Sequence, residues 1–259
     1  MFAGWRPCVI THPLLRAVAI SAVLATPGAA RAAEITVWTT RALATVLAEI
    51  GGEFARATGH RLIITTDLPP GFLRRARAGE SFDLLITGSA PMDEWIRNGS
   101  IVANTRTEIA RSGIGVEVRA GSRKPDIRTV DSFKRALLNA KSIAFLKVGS
   151  GIHLEDVIAR LGISEAIESR TIRPDADIVS ELVAKGDVEI GMVVITQILT
   201  TPGVELVGPL PSALQSYVTF VAGISSESKA ADGAAQLIQF LLGPRAAAVI
   251  ASQGMERMR

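Results

Sequence analysis

Two short segments of the chain place polar residues between a strand pattern and a helix pattern. They are Trp38-Thr39-Thr40-Arg41-Ala42 and Val148-Gly149-Ser150-Gly151-Ile152. The start of a helix leaves backbone N–H groups without helical partners, and these groups favour a bound anion. The hydroxyl and guanidinium groups at the same places add further donors. Plain capping by Thr39, Thr40 or Ser150 is the alternative, and it needs no ligand.

Arg41 stands in the first turn of its predicted helix, where a cation opposes the helix dipole. A bound anion would offset that cost, and so would an acidic neighbour inside the protein. Asp67, at the end of the second predicted strand, is the candidate neighbour. Contact with a ligand and pairing within the protein therefore both remain open for Arg41.

Strand and helix patterns alternate along the rest of the chain. Residues 35–38 predict a strand, and the apolar spacing that follows predicts a helix ending at Gly59. Further strands are expected at 62–66, 83–87, 114–119, 142–146, 188–194, 204–207 and 217–223. Further helices are expected after residue 70, near 130–139, 154–161, 178–185 and 231–242, and up to about residue 252. This alternation predicts an α/β fold with mainly parallel sheets flanked by helices.

Two lobes fit the usual size of a domain better than one unit built from all residues after 32. We expect lobe 1 to contain residues 33–118 and 220–259, and lobe 2 to contain residues 119–219. The predicted strands near 114–119 and 217–223 would be the two crossing segments between them.

The first 32 residues are typical of a signal peptide. Arg6 and Arg16 precede or flank an apolar stretch at 17–25, and small residues lead to a cleavage site after Ala32. The stretch is shorter than the roughly 20 residues of a membrane span, so an N-terminal anchor is the less favoured alternative. The remaining chain has 25 basic and 25 acidic residues and no cysteine. We therefore expect a periplasmic monomer with no nucleic-acid partner.

Catalytic and metal-binding motifs are absent from the sequence after residue 32. His60 and His153 are its two histidines, and neither belongs to a zinc, redox, hydrolase or nucleotide-binding motif. Ser226-Glu227-Ser228-Lys229 has the S-x-x-K spacing of penicillin-binding proteins without their companion motifs, and capping of the next helix is the favoured interpretation. We therefore expect no catalysis, no metal and no cofactor, with a hydrolase that uses Ser226 and Lys229 as a remote alternative.

The order and spacing of these segments resemble the type 2 periplasmic solute-binding proteins of ABC transporters, and most closely their molybdate/tungstate-binding branch. The resemblance covers nearly all of the chain after residue 32. It is carried by the segments 35–38, 77–86, 151–162, 182–193 and 240–247. It implies two lobes that close on a ligand in the cleft between them and deliver that ligand to a membrane permease.

In the molybdate branch, hydroxyls and backbone amides hold the oxyanion. The resemblance places one serine position on Ala42, the loop serines on 68–71 and the tyrosine position on Val194, while Ser150 is the hydroxyl kept near its expected place. Each missing donor would leave part of a dianion unpaired. Arg41 with nearby hydroxyls therefore favours a small organic carboxylate.

The combined prediction is a periplasmic solute-binding protein that captures a small anion by hinge closure and delivers it to an ABC permease. A carboxylate is expected in preference to molybdate. The alternatives are molybdate or tungstate binding by a divergent pocket, and a protein that presents its ligand to a sensor. The predicted ligand-binding residues are Thr39, Thr40, Arg41, Ala42, Asp67, Pro70, Thr87, Ser150, Gly151 and Val194.

Overall fold

The computed structural model describes residues 1–4 and 32–258, so most of the predicted signal peptide lies outside the described residues. The strands are β1 (Glu34–Thr39), β2 (Arg61–Thr66), β3 (Leu84–Gly88), β4 (Thr107–Arg119), β5 (Ile143–Ala144), β6 (Thr171–Ile172), β7 (Ile190–Val194), β8 (Val204–Pro209), β9 (Tyr217–Ile224) and β10 (Glu256–Arg257). The α-helices are α1 (Arg41–Thr58), α2 (Pro69–Arg77), α3 (Ser89–Arg97), α4 (Val130–Asn139), α5 (Ser150–Arg160), α6 (Ser164–Glu168), α7 (Val179–Lys185), α8 (Ile195–Thr200), α9 (Ala231–Leu241) and α10 (Pro244–Ser252).

The strands form a mixed sheet in the order β2-β1-β3-β9-β4-β7-β5-β6, with β8 and β10 paired to β4 off that path. Its two ends are parallel: β1 pairs with β2 and β3, and β5 pairs with β6 and β7. The middle is antiparallel, because β4 and β9 run against their neighbours. This arrangement confirms the predicted α/β class and places the antiparallel strands where the chain passes between the two ends.

Strand β4 belongs to both parts of the molecule. Its residues 107–113 pair with β9, whereas residues 114–119 pair with β7 and β8. One hydrophobic core lies around α1, α9 and α10, and a second lies around α4, α5 and β5. We call the part with β1–β3 and β9 lobe 1 and the part with β5–β8 lobe 2. The predicted boundaries at residues 118 and 220 stay a prediction.

Helix α1 shows how the sequence builds lobe 1. Its apolar residues recur every three or four positions, so one face is buried while the other meets solvent. The helix ends at Gly59, whose φ of 78° is the left-handed conformation that glycine adopts without strain. The Gly59 N–H donates to the carbonyl of Ala55 at 2.8 Å. The periodicity therefore fixes both the buried face and the end of this helix.

The last two long helices, α9 and α10, are also apolar and pack into the core of lobe 1. Among the residues that the structure describes, no single helix is long and apolar enough to cross a membrane, and the bent pair α9–α10 meets the criteria of length and composition only as a pair.

Candidate functional site

The carboxyl ends of β1 and β3 bring predicted site residues of lobe 1 together. The parallel register pairs Thr39 with Ile86. One residue later, Thr40 lies between β1 and α1, and Thr87 lies on β3. Open α/β sheets bind their ligands at this edge, because the loops and helix starts converge there.

An ion pair between Arg41 and Glu181 connects this edge with α7 of lobe 2. The two side chains are 35% and 33% exposed. The hydrogen bond to Glu181 raises the pKa of Arg41. We call the region around this ion pair, between the carboxyl ends of β1 and β3 and the start of α8 after β7, the cleft.

Asp67 is not the partner of Arg41, so that alternative is wrong. Its Oδ2 atom accepts from Arg75 Nε at 3.2 Å, and its Oδ1 atom accepts from the Leu68 N–H at 2.8 Å. Helix α2, which begins shortly after β2 ends, supplies this cation. Arg41 is therefore paired within the protein, but with a residue of the other lobe.

Two further carboxylates lie near the ion pair. Glu117 on β4 has no exposed surface, and Ser180 donates to its Oε1 atom at 2.9 Å. Burial, supported by the negative charges of Glu181 and Asp177, raises the pKa of Glu117 to about 7. This group therefore changes charge near neutral pH.

Asp177 precedes α7, and its Oδ1 atom accepts from Gln197 Nε2 at 2.8 Å. Burial raises the pKa of Asp177. Burial also acts to raise the pKa of Glu181, but the hydrogen bond and charge of Arg41 outweigh that effect and lower it. Of the three carboxylates, Glu181 is thus the one held ionised by Arg41.

Unpaired polar atoms concentrate at the cleft. Eight buried side-chain nitrogen or oxygen atoms find no hydrogen-bond partner within the described residues. Five of them, here called the open atoms, are Thr40 Oγ1, Arg41 Nη1, Thr87 Oγ1, Glu181 Oε2 and Thr196 Oγ1. Leaving such an atom buried and unpaired costs about 1–3 kcal/mol. Three of them follow or end β1 and β3 and two lie at the starts of α7 and α8, an arrangement typical of a site between two lobes whose ligand supplies the missing partners.

The helices that start at this end of the strands have free N-termini. In the described part of the chain, no side chain caps α1, α2, α3 or α5, whereas α4 carries a complete capping box formed by Thr129 and Ser132. The Thr39 hydroxyl contacts the Thr40 carbonyl at 3.4 Å, and Gly149, not Ser150, occupies the cap position of α5. Capping by Thr39, Thr40 or Ser150 is therefore wrong as an explanation of these residues.

Several predicted site residues have a structural role in packing. Ala42 and Val194 pack in the core of lobe 1, with 3% and 8% of their surface exposed. Gly151 is buried, and a Cβ atom there would lie 1.5 Å from the Leu146 carbonyl oxygen, so only glycine fits. Pro70 lies exposed near the start of α2. Ligand contact at these residues stays a prediction.

The segment Ser226-Glu227-Ser228-Lys229 lies away from the cleft. Its Ser228 hydroxyl and the Lys229 N–H donate to Asp83 Oδ1, just before the start of β3, at the opposite end of that strand. Ser226 does not cap α9, which corrects the prediction of a capping role. Within residues 1–4 and 32–258, no group of three or more His, Cys, Asp or Glu side chains could hold a metal ion.

A family model of bacterial extracellular solute-binding proteins matches residues 35–256. The chain belongs to this family. Among relatives of this solute-binding protein, an aconitate isomerase of a Pseudomonas species is 26% identical over 254 residues, 94% of this chain and 97% of the relative. The molybdate-binding protein ModA of Azotobacter vinelandii is 27% identical over 239 residues, 87% and 91% of the two chains.

Solved structures confirm the predicted type 2 binding-protein fold. The periplasmic molybdate-binding protein of Azotobacter vinelandii superposes with a TM-score of 0.74 at 18% identity, over 87% of this chain and all of that one. The predicted resemblance to the molybdate branch is also confirmed. The expectation that the solute-binding protein catalyses nothing is wrong: one relative that matches nearly end to end bears the name of an enzyme.

Proposed function

We propose that this solute-binding protein captures a small organic carboxylate in the cleft and delivers it to an ABC permease. Arg41 carries the proposal, because its Nη2 atom pairs with Glu181 while Nη1 is an open atom. A guanidinium holds a carboxylate through strong charge-assisted hydrogen bonds. The open hydroxyls of Thr40 and Thr87 and the free N-terminus of α1 supply further donors.

The charges around Arg41 favour a carboxylate over a tetrahedral dianion. A dehydrated molybdate ion would need donors around all of its oxygens. Here one guanidinium stands near three carboxyl groups, those of Glu117, Asp177 and Glu181. An organic ligand can place one carboxylate on Arg41 and keep its other groups away from these acids. The similarity to molybdate-binding proteins supports the fold more than it supports their ligand.

A thermal-shift screen of the purified protein tests the ligand class. We expect citrate, trans-aconitate or malate to raise the melting temperature, because a ligand at 100 times its Kd adds about 2.7 kcal/mol to the stability of the folded state. In a protein of this size, that corresponds to a shift of roughly 5–10 °C. Sulfate is the control for nonspecific anion effects. Stabilisation by molybdate or tungstate but by no carboxylate would contradict the proposal.

A second candidate function is isomerisation of an unsaturated polycarboxylate, which the enzyme relative favours. In such a reaction a base removes a proton from a methylene carbon, the double bond shifts by one position, and the proton is returned to the former vinylic carbon. Nothing is oxidised or reduced. Asp177 and Glu181 are partly exposed beside Arg41, whereas Glu117 is fully buried. The first two are therefore the candidates for proton transfer.

Proton NMR of trans-aconitate in D₂O tests this second function. We expect the cis isomer to appear, deuterium to replace the methylene protons, and Asp177→Asn to slow both changes at least about 100-fold, the low end of a general base's contribution. Glu165→Gln removes an exposed acid on α6 and serves as the control. If the wild-type protein causes neither isomerisation nor exchange, the second candidate function is contradicted for this substrate.

The proposed function requires export of the protein to the periplasm. The family is extracellular, and the predicted signal peptide at residues 1–32 would direct the chain to the periplasm as a monomer. In the alternative, the protein presents its ligand to a sensor and not to a permease. A permease encoded next to this protein would favour transport.

A further inference from the structure

The ion pair between Arg41 and Glu181 leaves one donor and one acceptor open on its two sides. Arg41 Nη2 contacts Glu181 Oε1, while Arg41 Nη1 and Glu181 Oε2 are open atoms. The two nitrogens belong to one guanidinium and the two oxygens to one carboxylate. The open donor and the open acceptor therefore belong to the two side chains of one contact, and because both atoms are buried here, a ligand would reach them only when the lobes part.

A bare carboxylate satisfies only half of this arrangement. Its oxygens accept hydrogen bonds from Arg41 Nη1, but at pH 7 it has no proton to donate to Glu181 Oε2. Two carboxylate oxygens brought together without a proton repel each other. The ligand must therefore carry a donor close to the carboxylate that binds Arg41.

We propose that the ligand is a 2-hydroxy carboxylate, whose carboxylate accepts from Arg41 Nη1 and whose adjacent hydroxyl donates to Glu181 Oε2. The inference rests on the proposed carboxylate site and adds its specificity. The hydroxyl oxygen also keeps lone pairs that can accept from the open hydroxyl of Thr40 or Thr87.

A neutral donor fits Glu181 better than an ammonium group does. The charge of Glu181 is already compensated by Arg41. Asp177 is bonded to Gln197, Glu117 is bonded to Ser180, and burial favours the neutral form of both acids. The other cation near Glu181 is Lys185, exposed on the same helix. A hydroxyl adds no second cation beside the Arg41 guanidinium, whereas an ammonium group at the same place would be repelled by it.

Matched ligand pairs measured by titration calorimetry test the inference. Malate and succinate differ by one hydroxyl, as do citrate and tricarballylate. We expect the hydroxylated member of each pair to bind about 10- to 100-fold more tightly, the usual range for a hydrogen bond to a charged group. Aspartate, which carries an ammonium group in place of the malate hydroxyl, should bind more weakly than malate.

Variants of Glu181 show whether this residue accepts the hydrogen bond from the ligand hydroxyl. Glu181→Met removes the acceptor and should bring the malate-to-succinate ratio close to one. Glu181→Gln keeps an acceptor oxygen and should keep a smaller preference, which provides a second test if the methionine variant folds poorly. Glu165→Gln is the control and should keep the wild-type ratio.

Each of the other possible outcomes would overturn a specific part of the inference. Equal binding of malate and succinate by the wild-type protein would overturn the inference and leave the carboxylate site intact. Tighter binding of aspartate than of malate would overturn the choice of a hydroxyl. A wild-type preference that survives in Glu181→Met would overturn the role of Glu181. Absence of binding by every carboxylate would overturn the inference together with the proposed function.

Discussion

Arg41→Ala is expected to lower the affinity for small carboxylates at least about 100-fold, because the ligand loses charge-assisted hydrogen bonds and its charge stays buried beside three acids. Removal of the guanidinium also leaves Glu181 without its partner, which adds repulsion against an incoming anion. Titration calorimetry with citrate or malate measures the loss directly. The thermal stabilisation by the same ligands should disappear with it.

Arg245→Ala is the matched control for this experiment. Arg245 also pairs with an acid, Glu53, but the pair lies on α10 and α1, within lobe 1, and Arg245 is 59% exposed. Its loss removes the same charge from the protein and should leave the affinity unchanged. Equal affinity of Arg41→Ala and the wild-type protein would show that Arg41 is not the anchor.

Stability is expected to fall as the pH rises from about 4.5 to about 7, because of Glu117. Burial raises the pKa of this carboxyl from its ordinary 4.5 to about 7. Across that interval the folded state keeps a proton that the unfolded state has lost, so each step upward in pH favours unfolding. The folded state therefore has its full stability from this group below pH 4.5 and has lost that stability above pH 7. The pKa difference corresponds to about 3 kcal/mol.

Urea denaturation of the wild-type protein and Glu117→Gln between pH 4 and pH 8 isolates this effect. Glutamine stays neutral and its oxygen can still accept from Ser180. The variant should therefore not lose stability through this position as the pH rises. We expect the stability of the variant relative to the wild type to grow by about 3 kcal/mol from pH 4 to pH 8. Parallel pH profiles for the two proteins would show that Glu117 titrates normally.

The sequence predicts elements whose periodicity runs over several turns and misses the short ones. Helix α1 has six buried residues at regular spacing, and its bounds follow from them. Helix α3 buries only Met92 and Trp95, which is too short a pattern to identify. Helix α8 consists largely of β-branched and apolar residues that look like the end of β7. Strand β4 begins seven residues before the predicted start at Ile114.

The sequence likewise predicts some residues of the candidate site and misses others. Thr40 and Arg41 follow one predicted strand and Thr87 ends another, so local patterns find them. Glu181 lies in the first turn of a short helix 140 residues from Arg41, and only the meeting of the lobes brings the two together. Glu117 did leave a signal, because a lone acid stands among the apolar residues of a buried strand. Local proximity also misled the prediction for Asp67, since Arg75 reaches it from the next helix.

A crystal structure of the protein with a bound carboxylate shows directly whether Arg41 anchors the ligand. We expect one ligand carboxylate within hydrogen-bond distance of Arg41 Nη1, at the carboxyl ends of β1 and β3, with Thr40 and Thr87 among its neighbours. A ligand bound elsewhere on the molecule, or one in the cleft that makes no contact with Arg41, would contradict it.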